Sequence, residues 1–552
     1  MTRVAVVGGG PAGLVALKEL REAGCDAVLF EASAELGGVF AAGRRYDGAQ
    51  LTTSSLIVAF GCFPPAPGAP PALWTSEEYC DYLVRFADAF ALRAHIFTGH
   101  AVTAVELLGP GGASAPVRVT VAVAAAAEAP AAPAAAAAAE ATAAPAVQAA
   151  APISFSAVFD AACICSGLNA APPADAPRPP WPGLADFEGR VLHASHFRSA
   201  AEVAGLRVLV VGLGESGSDI CLLVAQRAAA SAVSTRSGPG YLIPRRFGGA
   251  VSDLDTNRAY HALPRWLCAP PSLWHSAKTA IEGAFAGPDD DARVLAAAAA
   301  LNAARGASPF ARFGTKNHSF VEAAVHHGLQ VRPAIARFTR RGAVFADGSL
   351  FEADVLILAT GYAPRFPFLS AELQRRLADV RGALYKRVLL PDHGAALGFC
   401  GLARPGLGAI PPLAELAARY FAGVLSGALP LPSEAVMREA IARDAAAERA
   451  AFALDAGRIT ALCDYLPAME DLASLIGCRP RLMRLLLTHP RLFAKVLCGP
   501  LCESPPRART RRALARNRNR KHTCTHAQLI HTHAHARNRN RTRTPCVRAR
   551  AR

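Results

Sequence analysis

The run Gly8-Gly9-Gly10-Pro11-Ala12-Gly13 constrains the fold more than any other feature of this sequence. It follows a β-branched, apolar run at residues 4–7 and opens a segment, 14–22, with helical spacing of apolar residues. A strand, glycine turn and helix in that order make a βα unit whose helix N-terminus can cradle a pyrophosphate. Gly8 permits the tight turn, Gly10 lets backbone approach the phosphates, and Gly13 allows the helix to pack closely on the strand. Pro11 and Ala12 occupy the first helical positions. Glu31 ends a second apolar run, 27–30, where a carboxylate can accept hydrogen bonds from a ribose diol. A carboxylate repels a 2′-phosphate, so this first cradle suits FAD or NAD rather than NADP.

A second cradle, Gly212-Leu213-Gly214-Glu215-Ser216-Gly217, follows a strand-like run at 208–211 and precedes another apolar helix. Its second strand runs through Ser234 into Thr235 and Arg236 with no acidic residue. Two hydroxyls and a guanidinium there suit a 2′-phosphate, which points to NADPH. Two cradles on one chain imply electron transfer between a nicotinamide and a flavin.

The remaining organisation is read around these units. A Pro-rich loop at 64–71 and an amphipathic helix over 76–90 follow the first unit. Residues 122–151 are about two-thirds alanine. Strand-like flanks at 117–123 and 153–164 predict a hairpin whose turn has become a disordered insertion. A Pro-rich linker at 172–183 leads to the second cradle, and a hairpin turning at Asp347-Gly348 leads to a strand ending at Thr360-Gly361. Residues 412–500 are helical in pattern. The predicted domains are 1–171 for the first part of the FAD domain, 172–330 for the NADPH domain and 331–500 for the second FAD part with C-terminal helices. Residues 501–552 read as a low-complexity basic tail, either a disordered extension or read-through of noncoding sequence.

Charge and cysteine usage remove several function classes. The net charge of +16 would suggest nucleic acid, but residues 507–552 hold 15 Lys or Arg and no Asp or Glu. Without that tail, 44 basic residues face 43 acidic ones. The tail has no aromatic residue, which argues against stacking on RNA bases, so no nucleic-acid partner is expected. The 14 cysteines include no CxxC pair, and no metal site is expected. Cys163 and Cys165 lie in an apolar run that reads as a buried strand. No signal peptide or span of about 18 uncharged apolar residues is visible. Residues 482–498 read as a surface helix pair rather than an anchor. The expected location is cytoplasmic, with peripheral membrane association left open.

Just ahead of the second cradle stands FxGxxxHxxxFR, carried by Phe187, Gly189, His193, Phe197 and Arg198. With the second cradle's GxGxSG, Asp219 after it, and Ala359-Thr360-Gly361-Tyr362, this resembles the flavin-containing monooxygenases that oxygenate soft nitrogen and sulfur nucleophiles. Weaker similarities are Leu36-Gly37-Gly38, residues 313–317, residues 410–419 and residues 465–500; the resemblance covers about 1–500 without the alanine-rich insertion.

The resemblance implies an α/β fold of two Rossmann-like dinucleotide-binding domains, the FAD domain discontinuous and the NADP domain inserted, with a helical C-terminal segment. It implies that FAD lies on Gly8, Gly10, Pro11, Ala12, Gly13, Glu31, Gly37, Gly38, Phe40 and Thr53. NADPH lies on Gly212, Gly214, Glu215, Ser216, Gly217, Ser234, Thr235 and Arg236, with Thr360 and Gly361 at the end of the later strand. Hydride from NADPH would reduce FAD, and O2 would yield a C4a-hydroperoxyflavin that oxygenates a small-molecule nucleophile. Such chemistry needs few protein acids or bases, so His193 reads as structural. Lys316 and Asn317 read either as cofactor contacts or as loop hydrogen-bonding groups.

Two departures stand out. Phe40 replaces the family's usual Trp after Gly-Gly. Thr53-Ser54 stands where many members have Thr-Asn facing the flavin, which makes Ser54 the candidate catalytic residue and predicts leaky coupling. Alternative readings are a Baeyer–Villiger enzyme acting on a carbonyl, a flavin disulfide reductase, and an uncoupled oxidase or silent flavoprotein. Phe197-Arg198 in place of Trp-Pro or Trp-Asp argues against the first. The lack of a close cysteine pair after the first cradle argues against the second.

Overall fold

A computed structural model describes residues 1–109, 115–123, 153–169, 181–236, 238–247, 249–262, 291–304, 314–452 and 459–499. Ala122 and Val123 end a strand, so the alanine-rich insertion begins after them; residues 124–151 and the basic tail lie outside the described residues.

Two five-stranded parallel sheets organise the described chain. In the first, Arg3–Val7 lies between Asp26–Phe30 and Ala161–Ile164, with Ile96–Phe97 at one edge and Leu397–Phe399 at the other. Its central strands are apolar beyond Arg3 and Asp26 at their starts, because both faces are covered, one by helices and the other by the antiparallel sheet of His100–Leu107, Val117–Val123 and Ile153–Phe159. The helix Pro11–Glu22 packs on the sheet and carries the long helix Ile410–Leu425 on its outer side. Buried charge joins them: Arg419 pairs with Glu415 at 2.5 Å and Glu19 at 3.3 Å. Glu415, with no exposed surface, also accepts the backbone N–H groups of Gly61 and Cys62. Such a network is tolerated in an interior only when every partner is satisfied, and it fixes how the helices meet.

The second sheet runs Gln330–Arg332, Ala230–Ser234, Arg207–Val211, Val355–Leu358 and Arg190–His193. It corrects the sequence-based boundary at 331. The strand Val355–Leu358 is hydrogen-bonded on both sides within the second domain, and the hairpin strands Gly342–Phe345 and Leu350–Glu352 pack over it. The chain returns to the first sheet only at Leu397–Phe399, so the inserted domain extends to residue 358. Strand order across a parallel sheet is a tertiary property, with no local signature at the point of return.

Other local readings match their elements. The helix Ser76–Ala89 begins with a reciprocal capping box between Thr75 and Glu78 and buries Tyr79, Tyr82, Leu83 and Phe86. Val117–Val123 pairs antiparallel with Ile153–Phe159, Val123 opposite Ile153, so the alanine-rich insertion joins the two strands of one hairpin. Leu482–Thr488 and Pro490–Cys498 form two short helices with Met483 and Leu487 exposed. Among the described residues no helix is long and apolar enough to cross a membrane.

Candidate active site: two cradles and the link between them

The first cradle is shaped by backbone that only glycine can supply. Gly8 adopts φ +108°, and a Cβ there would lie 2.8 Å from the Cys165 carbonyl oxygen. A Cβ on Gly13 would run into the Gly8 carbonyl oxygen. Pro11 starts the helix with Gly10 as its N-cap, which leaves the first-turn N–H groups without side-chain caps and open to phosphate. The Gly37-Gly38 loop folds back on this turn: the Gly37 N–H donates to the Gly9 carbonyl at 3.1 Å, and a Cβ on Gly38 would lie 3.1 Å from the Gly10 Cα. A Cβ on Gly401 would lie 2.6 Å from the Ala12 Cβ, so the 400–408 segment also approaches the helix start.

Glu31 is buried at the end of its strand. Its carboxylate accepts the Gly9 N–H at 2.5 Å and the Ser33 N–H and hydroxyl at 2.9 and 2.7 Å. Three of roughly four acceptor positions are thus used in fixing the loop, and one remains. Phe40 stands edge-on to Tyr79, with ring centroids 4.9 Å apart. Thr53 and Ser54 are buried at the start of the short helix Ser55–Val58. The Ser54 N–H donates to Asp253 Oδ2 at 2.6 Å, a contact between segments 199 residues apart.

The second cradle repeats the first. Gly212 has φ +102°, with a Cβ position 2.6 Å from the Ala359 carbonyl oxygen, and a Gly217 Cβ would sit 2.5 Å from the Gly212 carbonyl oxygen. Glu215 and Ser216 open the helix Glu215–Ala225, and Gly214 is its N-cap. Ser234 is buried and its hydroxyl donates to the Pro333 carbonyl at 2.8 Å, whereas Arg236 is exposed at the strand end and Thr235 is half-buried. Sequence reasoning missed Arg332, which ends the neighbouring strand beside Ser234. A guanidinium that far along the chain becomes a neighbour only through strand pairing. Thr360 and Gly361 are exposed just beyond the strand Val355–Leu358.

Glu215 shows what the fold does to an ionisable group in a cradle. Its Oε1 accepts the Lys316 N–H at 2.8 Å, while Oε2 is buried without a partner among the described residues. Burial pushes its carboxyl up to about 7, with Asp219 adding repulsion and the Lys316 N–H and Arg245 opposing. Below pH 7 the neutral acid tolerates a pyrophosphate at the helix N-terminus. Above it, the carboxylate repels the phosphates, so affinity for NADPH is expected to fall by up to about tenfold per pH unit. Titrating NADP+ into the FAD-loaded enzyme from pH 6 to 9 checks this. Glu215→Gln should flatten the profile, and an unchanged slope in that variant would remove the assignment.

The fingerprint run joins the domains. His193 ends its strand opposite Leu358. Its Nδ1 accepts the Ser195 N–H at 3.1 Å, which leaves the proton on Nε2, 3.1 Å from the Gly361 carbonyl. Tyr362 meets the imidazole edge-on at 5.3 Å. Phe197 is fully buried, and Arg198 turns back to donate to the Ser195 and Phe197 carbonyls and, across the boundary, to the Gly43 carbonyl at 2.9 Å. The Asp47 N–H donates to the Arg198 carbonyl. The run is therefore tied to residues of both domains.

A second link lies deeper. Asp219, on the second-cradle helix, accepts from Tyr46 at 2.8 Å, Arg245 at 2.9 Å and Asn317 Nδ2 at 2.8 Å. Asn317 has no exposed surface and also ties the Glu215 carbonyl and Ser218. Lys316 reaches the Gly408 carbonyl at 3.2 Å. The 314–317 segment, which starts as the short strand Gly314–Thr315, thus ties the two domains together. The fold also gathers Cys163, Cys165 and Cys400, with Sγ separations from Cys163 of 3.7 and 3.6 Å, in the first sheet.

A family model described as flavin-binding monooxygenase-like matches residues 146–279 and 305–548, together more than half of the chain. The chain belongs to the flavin-binding monooxygenase-like family. A second model, a Rossmann-like NAD(P)-binding domain, matches residues 6–61 around the first cradle. The family match continues past residue 500, where the motif resemblance gives out, through most of the basic tail.

Curated relatives agree with this membership, and solved structures share the fold. A 4-hydroxybenzoate brominase (decarboxylating) of Marinomonas mediterranea is 29% identical over 499 residues, 90% of this chain and 88% of its own. Flavin-containing monooxygenase 5 of Mus musculus is 28% identical over 512 residues, 90% and 87% of the two chains. Among solved structures, S-allyl-L-cysteine S-oxygenase from Allium sativum has a TM-score of 0.56 at 20% identity, over 93% of this chain and 99% of that one. Cyclohexanone monooxygenase from Rhodococcus sp. Phi1 scores 0.58 at 17%, over 86% and 97%. As a member of the flavin-binding monooxygenase-like family, the protein is an NADPH-dependent flavin monooxygenase with FAD as its flavin.

Proposed function

We propose that the protein oxygenates a small soft nucleophile, a tertiary amine or a thioether, with Ser54 beside the flavin. The observation that carries this reading is the fingerprint end, where Phe197 is buried and the half-buried Arg198 donates to the Gly43 carbonyl. That Phe-Arg pair occurs where carbonyl-oxidising relatives of this fold carry a different ending. A soft nucleophile also brings its own lone pair and needs no protein base. The charged side chains between the cradles suit that: Arg245 is committed to Asp219, Asp219 to Arg245 and Asn317, and His193 to the Gly361 carbonyl. A relative named for N-oxide formation, dimethylaniline monooxygenase 2 of Oryctolagus cuniculus, is 27% identical over 527 residues.

Bound FAD supplies the redox chemistry and the site of oxygen activation. The chain's own residues bind and orient it. Gly8, Gly10 and Gly13 shape the pyrophosphate turn, Glu31 offers its remaining acceptor position to the ribose, and Gly37, Gly38 and Phe40 cover it. Thr235 and Arg236 take the 2′-phosphate of NADPH. A cytoplasmic location belongs to the same reading.

The test is an NADPH-oxidation screen of the yellow, FAD-loaded protein over amines, thioethers and ketones, and over 4-hydroxybenzoate with bromide, with product and peroxide both measured. N-oxide or sulfoxide is expected, with part of the NADPH appearing as hydrogen peroxide because a serine hydroxyl offers less hydrogen bonding than an amide. Ester from the ketones, or brominated phenol, as the sole product would overturn the reading.

A further inference from the structure

We propose that Asp253, supplied by the NADPH domain, is a positioning residue of the flavin site and that with Ser54 it holds a polar edge of bound FAD. The inference rests on the reading that Ser54 faces the flavin.

Asp253 and Ser54 are 4% and 0% exposed. One oxygen of the carboxylate is committed to the Ser54 N–H. The other, Oδ1, and the Ser54 hydroxyl both lack partners among the described residues. A single buried orphan costs about 1–3 kcal/mol, and two on adjacent groups call for a ligand that satisfies both. Their chemistry is complementary to one kind of edge: Oδ1 can only accept, and the hydroxyl can donate. The flavin ring presents an N–H donor beside carbonyl acceptors along its pyrimidine edge, which meets both.

Asp253 is also placed from the second cradle. It lies in the turn Ser252–Asp255, after the antiparallel pair Arg246–Phe247 and Ala250–Val251. Ser252 closes that hairpin, its N–H donating to the Arg245 carbonyl at 3.1 Å and its hydroxyl to the Pro244 carbonyl. Arg245 is in turn bound to Asp219 on the second-cradle helix. The flavin-facing turn is therefore held by a strut whose other end stands on the NADPH cradle.

The experiment measures the midpoint potential and visible spectrum of FAD in the purified holoenzyme, in Asp253→Asn and in Ser54→Ala. Neutralising a buried anion favours the reduced flavin, so Asp253→Asn should raise the potential. Removing a donor to a flavin carbonyl should lower it in Ser54→Ala. A purely structural role would move the melting temperature of both variants and neither potential. Should Asp253→Asn fail to fold, the Ser54→Ala shift and its rescue in Ser54→Thr decide the matter. Unshifted potentials in FAD-loaded variants overturn the Asp253 assignment, even if the wild type oxygenates amines. Shifts of the stated signs in an enzyme that makes no N-oxide or sulfoxide overturn the substrate reading alone.

Discussion

Gly13→Ala is expected to yield a chain without bound FAD and with a destabilised first domain. The new methyl group has nowhere to go, because it meets the Gly8 carbonyl oxygen, which is backbone rather than the end of a flexible side chain. Gly8 cannot withdraw without losing its own N–H bond to the Phe30 carbonyl at 2.8 Å and its approach to Cys165. Ordinary overpacking costs about 1–3 kcal/mol, and a backbone clash under the first helix of the domain exceeds what one side-chain shift relieves. Helix and strand must separate, which takes the N-terminal N–H groups away from the pyrophosphate. Flavin absorbance per protein and a urea melt check this. Gly43→Ala, where a Cβ meets nothing within 4 Å, is the control that should keep its FAD. Full flavin occupancy in Gly13→Ala would show that the loop is not the cradle.

The second large effect is on coenzyme choice. Arg236→Ala should raise the KM for NADPH by roughly 30- to 150-fold, the equivalent of about 2–3 kcal/mol of charge-assisted hydrogen bonding, and leave NADH nearly unaffected. The structure sharpens this beyond the sequence reading. Three groups, Ser234, Thr235 and Arg236, were candidates for the 2′-phosphate, but the Ser234 hydroxyl is spent on the Pro333 carbonyl. On the proposed reading the exposed Arg236 carries most of the discrimination, and Arg332 on the adjacent strand is the second cation at that corner. Equal losses with NADPH and NADH would move the phosphate site elsewhere; a loss confined to Arg332→Ala would transfer it to that residue.

Both cradles were legible because each is a local device. Strand, glycine turn and helix are contiguous, and the reasons for Gly8, Gly13, Gly212 and Gly217 are steric facts within a few residues or between neighbouring strands. The hairpin around the alanine-rich insertion was legible for a similar reason, since two alternating runs bracket one loop. The helix Ser76–Ala89 announced itself through Thr75 and Glu78, whose capping box is three residues wide.

The domain boundary was not. Val355–Leu358 looks like any buried parallel strand, and only its pairing with Arg207–Val211 and Arg190–His193 assigns it to the inserted domain. The same applies to the side chains that govern the interior of the site. Glu215 is a helix-start residue in the sequence, and only its burial beside Asp219 and under Lys316 brings its proton affinity near neutrality. Asp253 had no motif at all. It becomes a site residue because a hairpin 199 residues from Ser54 folds against it.

By itself, then, the sequence determined the two glycine turns and the run that connects them, since these depend on short-range sterics at fixed spacing. Tertiary structure alone decided which strand belongs to which sheet, that the Ser234 hydroxyl is spent on the Pro333 carbonyl, and that Asp253 meets Ser54. Those outcomes depend on burial and on contacts between distant segments, and neither quantity exists until the chain has folded.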